Sequence, residues 1–441
     1  MESVGDYLKD SNKFYESMPE ETNELYKKKY VPINLDNIAR AIDFGANEGK
    51  PKTQPAPRIA SFFSEHFSDS EIKFDALLGD GGFVAAGLKA KYMRFVRQDE
   101  GDYENLSGQF MEAFDDDKYT AFMYSYAEGI LHVRIPKGEK AQLNILLANV
   151  ERPFSMMIFF DVEEGARLDV MEFFTSGTAK QSFLGVVNIA RLSSDAKAEI
   201  NMLHNEGHGT DVVSMSYMKA LDNASVKSNY IYVGGNRVKA KNRLDALGAS
   251  SKVEANEVAL GNNKQAFDIN TKIVNRYSGT NSEAKLDSKA VLFDEAACYL
   301  KGFSKIEAGA KGAKSFVTEG GFHLSKNAKI EAMPDMSIDE KDVKATHSSA
   351  IGPINQDVLF YLMSRGMESS EARNLVISGF LTSTISNIES GIAKAYSLSL
   401  INRKISGKEE IGLPKIESQG MWLESRRGSD IFGSHYKYRV V

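Results

Sequence analysis

From about residue 121 to residue 338 the chain is written in short apolar-alternating runs, each broken by Gly, Asn, Asp or Ser. Ala166, Leu168 and Val170 alternate with Arg167 and Asp169, and Ala196, Ala198, Ile200 and Met202 alternate with Lys197, Glu199 and Asn201. A period of two is that of strands with one buried face. A loose frame recurs: an apolar residue, two polar ones, a turn or small residue, Ala, a polar residue, an apolar one. It occupies residues 162–168, 192–198 and 324–330, with weaker copies at 293–299 and 306–312. Small inward residues placed after a turn suit stacked rungs whose coils approach closely, as in a β-solenoid. The copies are irregularly spaced, so a sandwich of short strands answers the same periodicity.

The flanks read differently. Residues 1–45 look helical and polar, with Leu35, Ile38, Ala39 and Ile42 at helical spacing. Gly45, Gly49, Pro51, Pro55 and Pro57 mark a linker. Gly79-Asp80-Gly81-Gly82 is a turn but lacks the Gly-Lys-Ser/Thr of a phosphate loop. After Gly352 the period becomes helical: Val358, Leu359, Leu362 and Met363 line one face, Asn355 or Gln356 caps its start, and Gly366 follows Arg365 as a helix stop. A second helix begins near Ser369-Ser370-Glu371 and carries Ala372, Leu375, Val376, Phe380 and Leu381. A third series, Ile385, Ile388, Ile392 and Ala395, continues or follows it. From Arg403 the chain turns to Gly, Pro, Arg426-Arg427 and the single tryptophan, Trp422. The resulting division is a helical or mixed region over 1–120, a β core over 121–352, helices over 353–402 and a tail over 403–441.

Composition narrows the chemistry. A net charge of −6 leaves no global basic field for nucleic acid. The one cysteine, Cys298, rules out an intrachain disulfide and any metal site built from several thiolates of this chain. No stretch is apolar for long enough to predict a membrane span, and the first residues lack the basic and apolar regions of a secretory signal. A cytoplasmic protein is expected.

Few residues stand out as reactive. His204 and His208 have helical ligand spacing, but Gly207 and Gly209 favour a turn after a strand. No Gly-x-Ser-x-Gly elbow occurs. Asp161, Glu163 and Glu164 are the one acidic group that a polysaccharide-cleaving solenoid could use, and they sit in an ordinary polar turn. Cys298 takes the frame position of Arg167, Lys197 and Lys329, which predicts an outward thiol. His347 lies where the strand pattern ends and the helical one begins; it suits a strand-end hydrogen bond, a metal ligand or a proton carrier.

Asp268-Ile269-Asn270-Thr271, Lys289-Ala290-Val291-Leu292, Tyr299-Leu300-Lys301-Gly302-Phe303, and Leu324 to Ile330 with Pro334 form a set of motifs. Asp342-Val343-Lys344 runs through His347 to Gly352, then Gln356, Phe360-Tyr361-Leu362, Ser364-Arg365-Gly366, Ala372 and Gly379-Phe380. Together they resemble the SufB/SufD family, the scaffold proteins of SUF iron–sulfur cluster assembly. The resemblance implies a mainly β fold: a right-handed parallel β-helix between N-terminal and C-terminal helical regions. It implies a non-enzymatic scaffold that pairs with a SufB-like subunit and with the SufC ATPase, the latter docking on helices that carry Gln356, Phe360, Tyr361, Arg365 and Gly366. It sets His347 near the interface of two scaffold subunits, as a shared cluster ligand. The chain departs from the family at Asn275, where His is usual, and at Ser348, where Gly is usual. Residues 303–345 also lack the cysteine of SufB-type members. That makes the chain SufD-like, with no cluster held stably by this chain alone and any transient iron–sulfur cluster at a shared interface. A homodimeric scaffold without cluster chemistry is the alternative, and neither nucleic acid nor membrane is expected as a partner.

Overall fold

The computed structural model describes residues 72–79, 82–85, 88–97, 100–111, 118–150, 152–177 and 182–408, with 33–35, 38 and 412. The expected linker, Ala39, Ile42 and the tail past 408, Gly412 apart, lie outside the described residues. Strands β1 (Ala76–Gly79), β2 (Gly82–Ala85) and β3 (Met93–Val96) precede helices α1 (Asp102–Met111) and α2 (Lys118–Tyr126). Then come β4 (Ile130–Ile135), β5 (Lys140–Asn149), β6 (Phe154–Val162), β7 (Arg167–Ser176), β8 (Ser182–Leu192) and β9 (Lys197–Asn205). They continue as β10 (Thr210–Ala220), β11 (Ser225–Tyr232), β12 (Arg237–Ala246), β13 (Lys252–Gly261), β14 (Ala266–Asn275) and β15 (Glu283–Leu292). The last strands are β16 (Ala297–Ile306), β17 (Lys314–His323), β18 (Lys329–Ala332), β19 (Asp335–Ile338) and β20 (Lys344–Gly352). Helices α3 (Gln356–Ser364), α4 (Ser369–Ile385) and α5 (Gly391–Ile405) follow, the last running past Arg403, where the tail was expected to begin.

Successive strands go to alternate sheets. Odd-numbered strands from β5 to β17, closed by β20, form one sheet; even-numbered strands from β4 to β18 form the other. Pairing within both is parallel, with antiparallel exceptions only where β2 meets β1 and β3 meets β4. This is a parallel β-solenoid, and the sandwich alternative, an antiparallel architecture, is excluded. Arg167, Lys197, Ser225, Lys252, Glu283, Lys314 and Lys344 stack in one ladder, roughly 30 residues apart per turn.

The corners explain the recurring frame. Gly165, Asp195, Asn223 and Ser250 hold φ of 65°, 62°, 56° and 57°. Gly, Asn and Asp enter this left-handed region at least cost. There the amide turns along the solenoid axis and donates to the next corner: Gly165 to the Ser194 carbonyl at 3.0 Å, Asp195 to that of Asp222 at 2.9 Å, Asn223 to that of Ala249 at 2.9 Å. The Ala that follows, at 166, 196 and 224, is buried in the interior.

Each outer face is covered in its own way. Residues near the chain start (Ile33, Leu35) and α2 pack over Met157, Phe159, Phe183, Val213 and Met215 of the even sheet. α4 and α5 lay Val376, Ile377, Leu381, Tyr396 and Leu400 over Leu203, Ile231, Val258 and Val291 of the odd sheet. An asparagine ladder joins helix to sheet: Asn201, Asn229, Asn256 and Asn387 are linked amide to amide at 2.8, 2.9 and 3.0 Å. The Glu199 carboxylate accepts the Glu389 and Ser390 amides at 2.6 and 2.8 Å, where α5 begins. A carboxylate there also meets the positive end of the helix dipole.

Candidate functional site

The solenoid ends in an open rung. None of the nine residues of β20 is buried, whereas its neighbour β17 carries buried Ser315, Val317, Glu319, Gly320 and Gly321. The register continues the interior rows: Val170, Ile200, Ser228, Ala255, Leu286 and Val317 lead to His347. His347 therefore holds an inward-facing position and is exposed because no further turn among the described residues covers it. Ser348, at the family's glycine position, takes the outward phase of the same strand. Asn275, at the family's histidine position, is fully buried and donates to Ser282 Oγ at 2.8 Å.

The neighbouring row is polar except at Met202: Glu172, Met202, Tyr230, Glu257, Ser288 and Glu319 lead to Ser349. Across the interior, Glu172 accepts from Asn188 at 2.5 Å, Ser216 meets Tyr230 Oη at 2.6 Å, and Asn242 donates to Glu257 at 3.0 Å. Ser288 donates to Glu257 at 2.5 Å, and the Gly302 amide donates to Glu319 at 2.6 Å. Burial pushes the carboxyls of Glu172 and Glu319 up to about 8 and raises that of Glu257. Among the described residues, Glu172 Oε1 and Glu319 Oε2 have no hydrogen-bond partner. Gly302, noted as a motif residue, gains a physical reason: a Cβ there would stand 2.8 Å from Glu319 Oε1. The sequence reading missed this seam. The available signal was phase, since Glu172 falls in step with the inward Leu168, Val170 and Phe174.

Cys298 requires correction. It is fully buried, not outward, and burial raises its thiol well above the ordinary range, with the Asp268, Glu257 and Glu319 charges adding to the effect. The frame was misphased by one residue: the strand-ending apolar residue is Leu292, and Phe293 faces the helical cluster instead. Lys329 therefore stacks on Ala297, and Cys298 stacks on the inward Phe267 and Ile330. A buried protonated thiol is a poor nucleophile and a poor ligand.

Other expected residues separate. His204, next to last in β9, is buried between the rings of Phe174 (4.2 Å) and Tyr232 (5.0 Å), and meets Glu206 at 2.7 Å. His208 is exposed in the following turn, so the two share no site. Asp161, Glu163 and Glu164 each pair with a cation, Arg191 at 3.1 Å, Arg134 at 2.5 Å and Lys137 at 2.9 Å. Among the described residues no group of three His, Cys, Asp or Glu side chains could hold a metal ion. No helix among them is long and apolar enough to cross a membrane.

α3 is a second feature at this end. Asn355 caps it, its side chain accepting the Asp357 amide at 2.8 Å, and Gly366 stops it with φ 93°. Leu359 and Leu362 rest on the helical cluster. The opposite side exposes Phe360 (74%), Tyr361 (56%) and Met363 (45%). Arg365 lies 5.2 Å from the Tyr361 ring centre, and Gln356 is exposed at the helix start.

Comparison with known proteins follows the same architecture. Residues 149–380 match the family model described as SUF system FeS cluster assembly, SufBD core domain. The chain is 32% identical to the iron–sulfur cluster assembly protein SufD of Bacillus subtilis over 166 residues, 38% of each chain. It is 28% identical to a SufBD family protein of Pyrococcus horikoshii over 45% of this chain and 44% of that one. With SufD of Escherichia coli it shares 20% identity over 64% of this chain and 68% of the relative. The matched stretch thus spans less than half the length of the first two relatives. A core-domain match over more than half of the chain, on a solenoid carrying the same motifs, shows that the chain belongs to the SufBD family of SUF iron–sulfur cluster assembly.

Proposed function

We propose that this chain is a SufD-like scaffold subunit that pairs, through its open terminal rung, with a SufB-like subunit. The observation that carries the reading is the exposure of β20 against a fully buried interior. An edge strand with unpaired amides and carbonyls invites a further strand, and natural proteins rarely leave one this long uncovered. His347, on an inward row at that edge, supplies a ligand or proton-transfer group to a site shared across the interface; the thiolates come from the partner. α3, with Phe360, Tyr361 and Met363 outward, is the docking face for the SufC ATPase, as Gln356, Arg365 and Gly366 suggested. The chain carries out no reaction of its own on this reading.

Ser349→Lys tests the pairing, because it sets a charge on an exposed residue of the open rung without touching the core. Co-purification with a SufB homologue is expected to be lost. A complex formed equally well by the variant sinks the edge-pairing reading, and stable pairs of this chain with itself would favour the homodimeric alternative. His347→Ala is expected to keep the complex and lower cluster formation after anaerobic reconstitution with iron and sulfide.

A further inference from the structure

Glu319 is the last buried member of the polar interior row before the open rung, and one of its oxygens is left over. Gly302 has no side chain, so the carboxyl folds against the even sheet, where Oε1 accepts the Gly302 amide at 2.6 Å. Among the described residues Oε2 has no hydrogen-bond partner, although Glu319 is only 1% exposed. The carboxyl leans toward the open end, because it also feels the backbone N–H of Met333, on the terminal rung of the even sheet. That rung breaks between β18 and β19, at Met333 and Pro334, which lie over Lys301 and Gly302.

On the odd sheet, Val317 pairs with His347 and Glu319 with Ser349. Glu319 and His347 are therefore diagonal neighbours on one inward face, at the roughly 7–8 Å that long and aromatic side chains bridge. While the rung is open, the exposed His347 ring can bond solvent through both nitrogens. A subunit that covers β20 removes that solvent. A histidine that offers one nitrogen to a ligand then needs a partner for the other, and a carboxyl is a usual one. A buried donor or acceptor left unpaired costs its full desolvation. Among the described side chains of β17 and β20, Glu319 Oε2 is the buried oxygen that lacks a partner. Building on the reading that a second subunit covers β20, we propose that Glu319 is the positioning residue for His347. When the rung closes, Oε2 bonds one ring nitrogen and holds the other toward the partner.

A double-mutant cycle on assembly tests this with the full chain. The dissociation constant of the complex with a SufB homologue is measured for the parent, His347→Ala, Glu319→Met and the double variant. Met keeps the length of Glu319 and removes the acceptor. Each single change is expected to weaken assembly about fivefold, the worth of one ordinary hydrogen bond, and the double change also by about fivefold instead of the product, about 25-fold. Glu319→Gln keeps a bonding group in place and should stay within about twofold of the parent. A Glu319 that only supports the fold would cost the same with or without His347. Losses that multiply, or a Glu319→Gln loss equal to that of Glu319→Met, overturn the proposal. The ring ¹⁵N shifts of His347 need no Glu319 variant: a tautomer mixture in the free chain is expected to become one tautomer in the complex, and an unchanged mixture also overturns it. No assembly by the parent chain refutes the pairing itself and this proposal with it, whereas assembly with multiplying losses refutes the proposal alone.

Discussion

Changing Glu172 to Gln is expected to remove one share of the fold's sensitivity to alkaline pH, leaving the shares of Glu319 and Glu257 in place. Glu172 is fully buried in the interior row, and burial lifts its carboxyl from 4.5 to about 8. Between those values the folded chain holds a proton that the unfolded chain has released, so stability falls as pH rises. At ~1.4 kcal/mol per tenfold difference, the loss reaches ~3 kcal/mol at pH 7 and ~5 kcal/mol above pH 8, as upper bounds before relaxation. Gln keeps the shape and the acceptor for Asn188 but has no proton to lose. The carboxylates held low by partners, such as Glu163 beside Arg134 and Glu307 beside Arg276, act below 4.5 and leave this window untouched. His132, lowered by burial, gives an opposite slope toward 6.5, but it is common to both proteins and cancels in the difference. Urea unfolding at pH 5, 6, 7 and 8 is the assay. The variant is expected to be comparable or slightly weaker at pH 5 and more stable than the parent by ~2–4 kcal/mol at pH 8. Parallel pH profiles for the two proteins would refute the claim that Glu172 folds as a neutral acid.

Three further outcomes follow from the geometry. Gly302→Ala sets a methyl 2.8 Å from Glu319 Oε1 inside the interior and is expected to cost ~1–3 kcal/mol by thermal or urea unfolding. Asp195→Ala keeps a left-handed corner without its tolerant side chain and should lose ~1 kcal/mol, whereas Asp195→Gly should lose less; equal losses would point to the Asp195 carboxylate instead of the backbone. Phe360→Ala with Tyr361→Ala should leave Tm nearly unchanged, since both side chains are exposed, yet abolish co-purification with a SufC homologue; retained binding would remove α3 from the docking face.

The strand period, the helical flanks and the corner alanines were legible because each follows from local geometry. Ala166, Ala196 and Ala224 mark corners whose side chains turn into the interior, and the residue before each holds a left-handed turn. Asn355 and Gly366 bracket α3 as their side chains and backbone freedom dictate. Which architecture the strands build was not local: the ladder of Arg167, Lys197 and Ser225 is a contact between residues a full turn apart. The polar seam stayed hidden for a related reason. Glu172, Glu257 and Glu319 look like ordinary surface acids until the register stacks them in one interior row, each answered from the facing sheet by Asn188, Asn242 or the Gly302 amide.

The error at Cys298 shows how the two kinds of information interact. Leu292 and Phe293 are both apolar, so either could close the strand, and choosing Phe293 shifted the phase by one. In a structure of period two, a shift of one residue exchanges the faces of everything after it. The thiol that looked outward packs instead among Phe267, Ile330 and the buried acids, where its negative form is disfavoured by burial and by neighbouring charge alike. His347 has the same inward phase, and the opposite outcome, because the stack stops at β20. Phase decides which way a side chain points, while the position of its rung decides whether solvent or a partner can reach it. By that criterion the interior rows of the odd sheet present their last members, Ala345, His347, Ser349 and Ile351, at this end. On the proposed function, the shared site is assembled around exposed residues such as His347 and not around the buried Cys298.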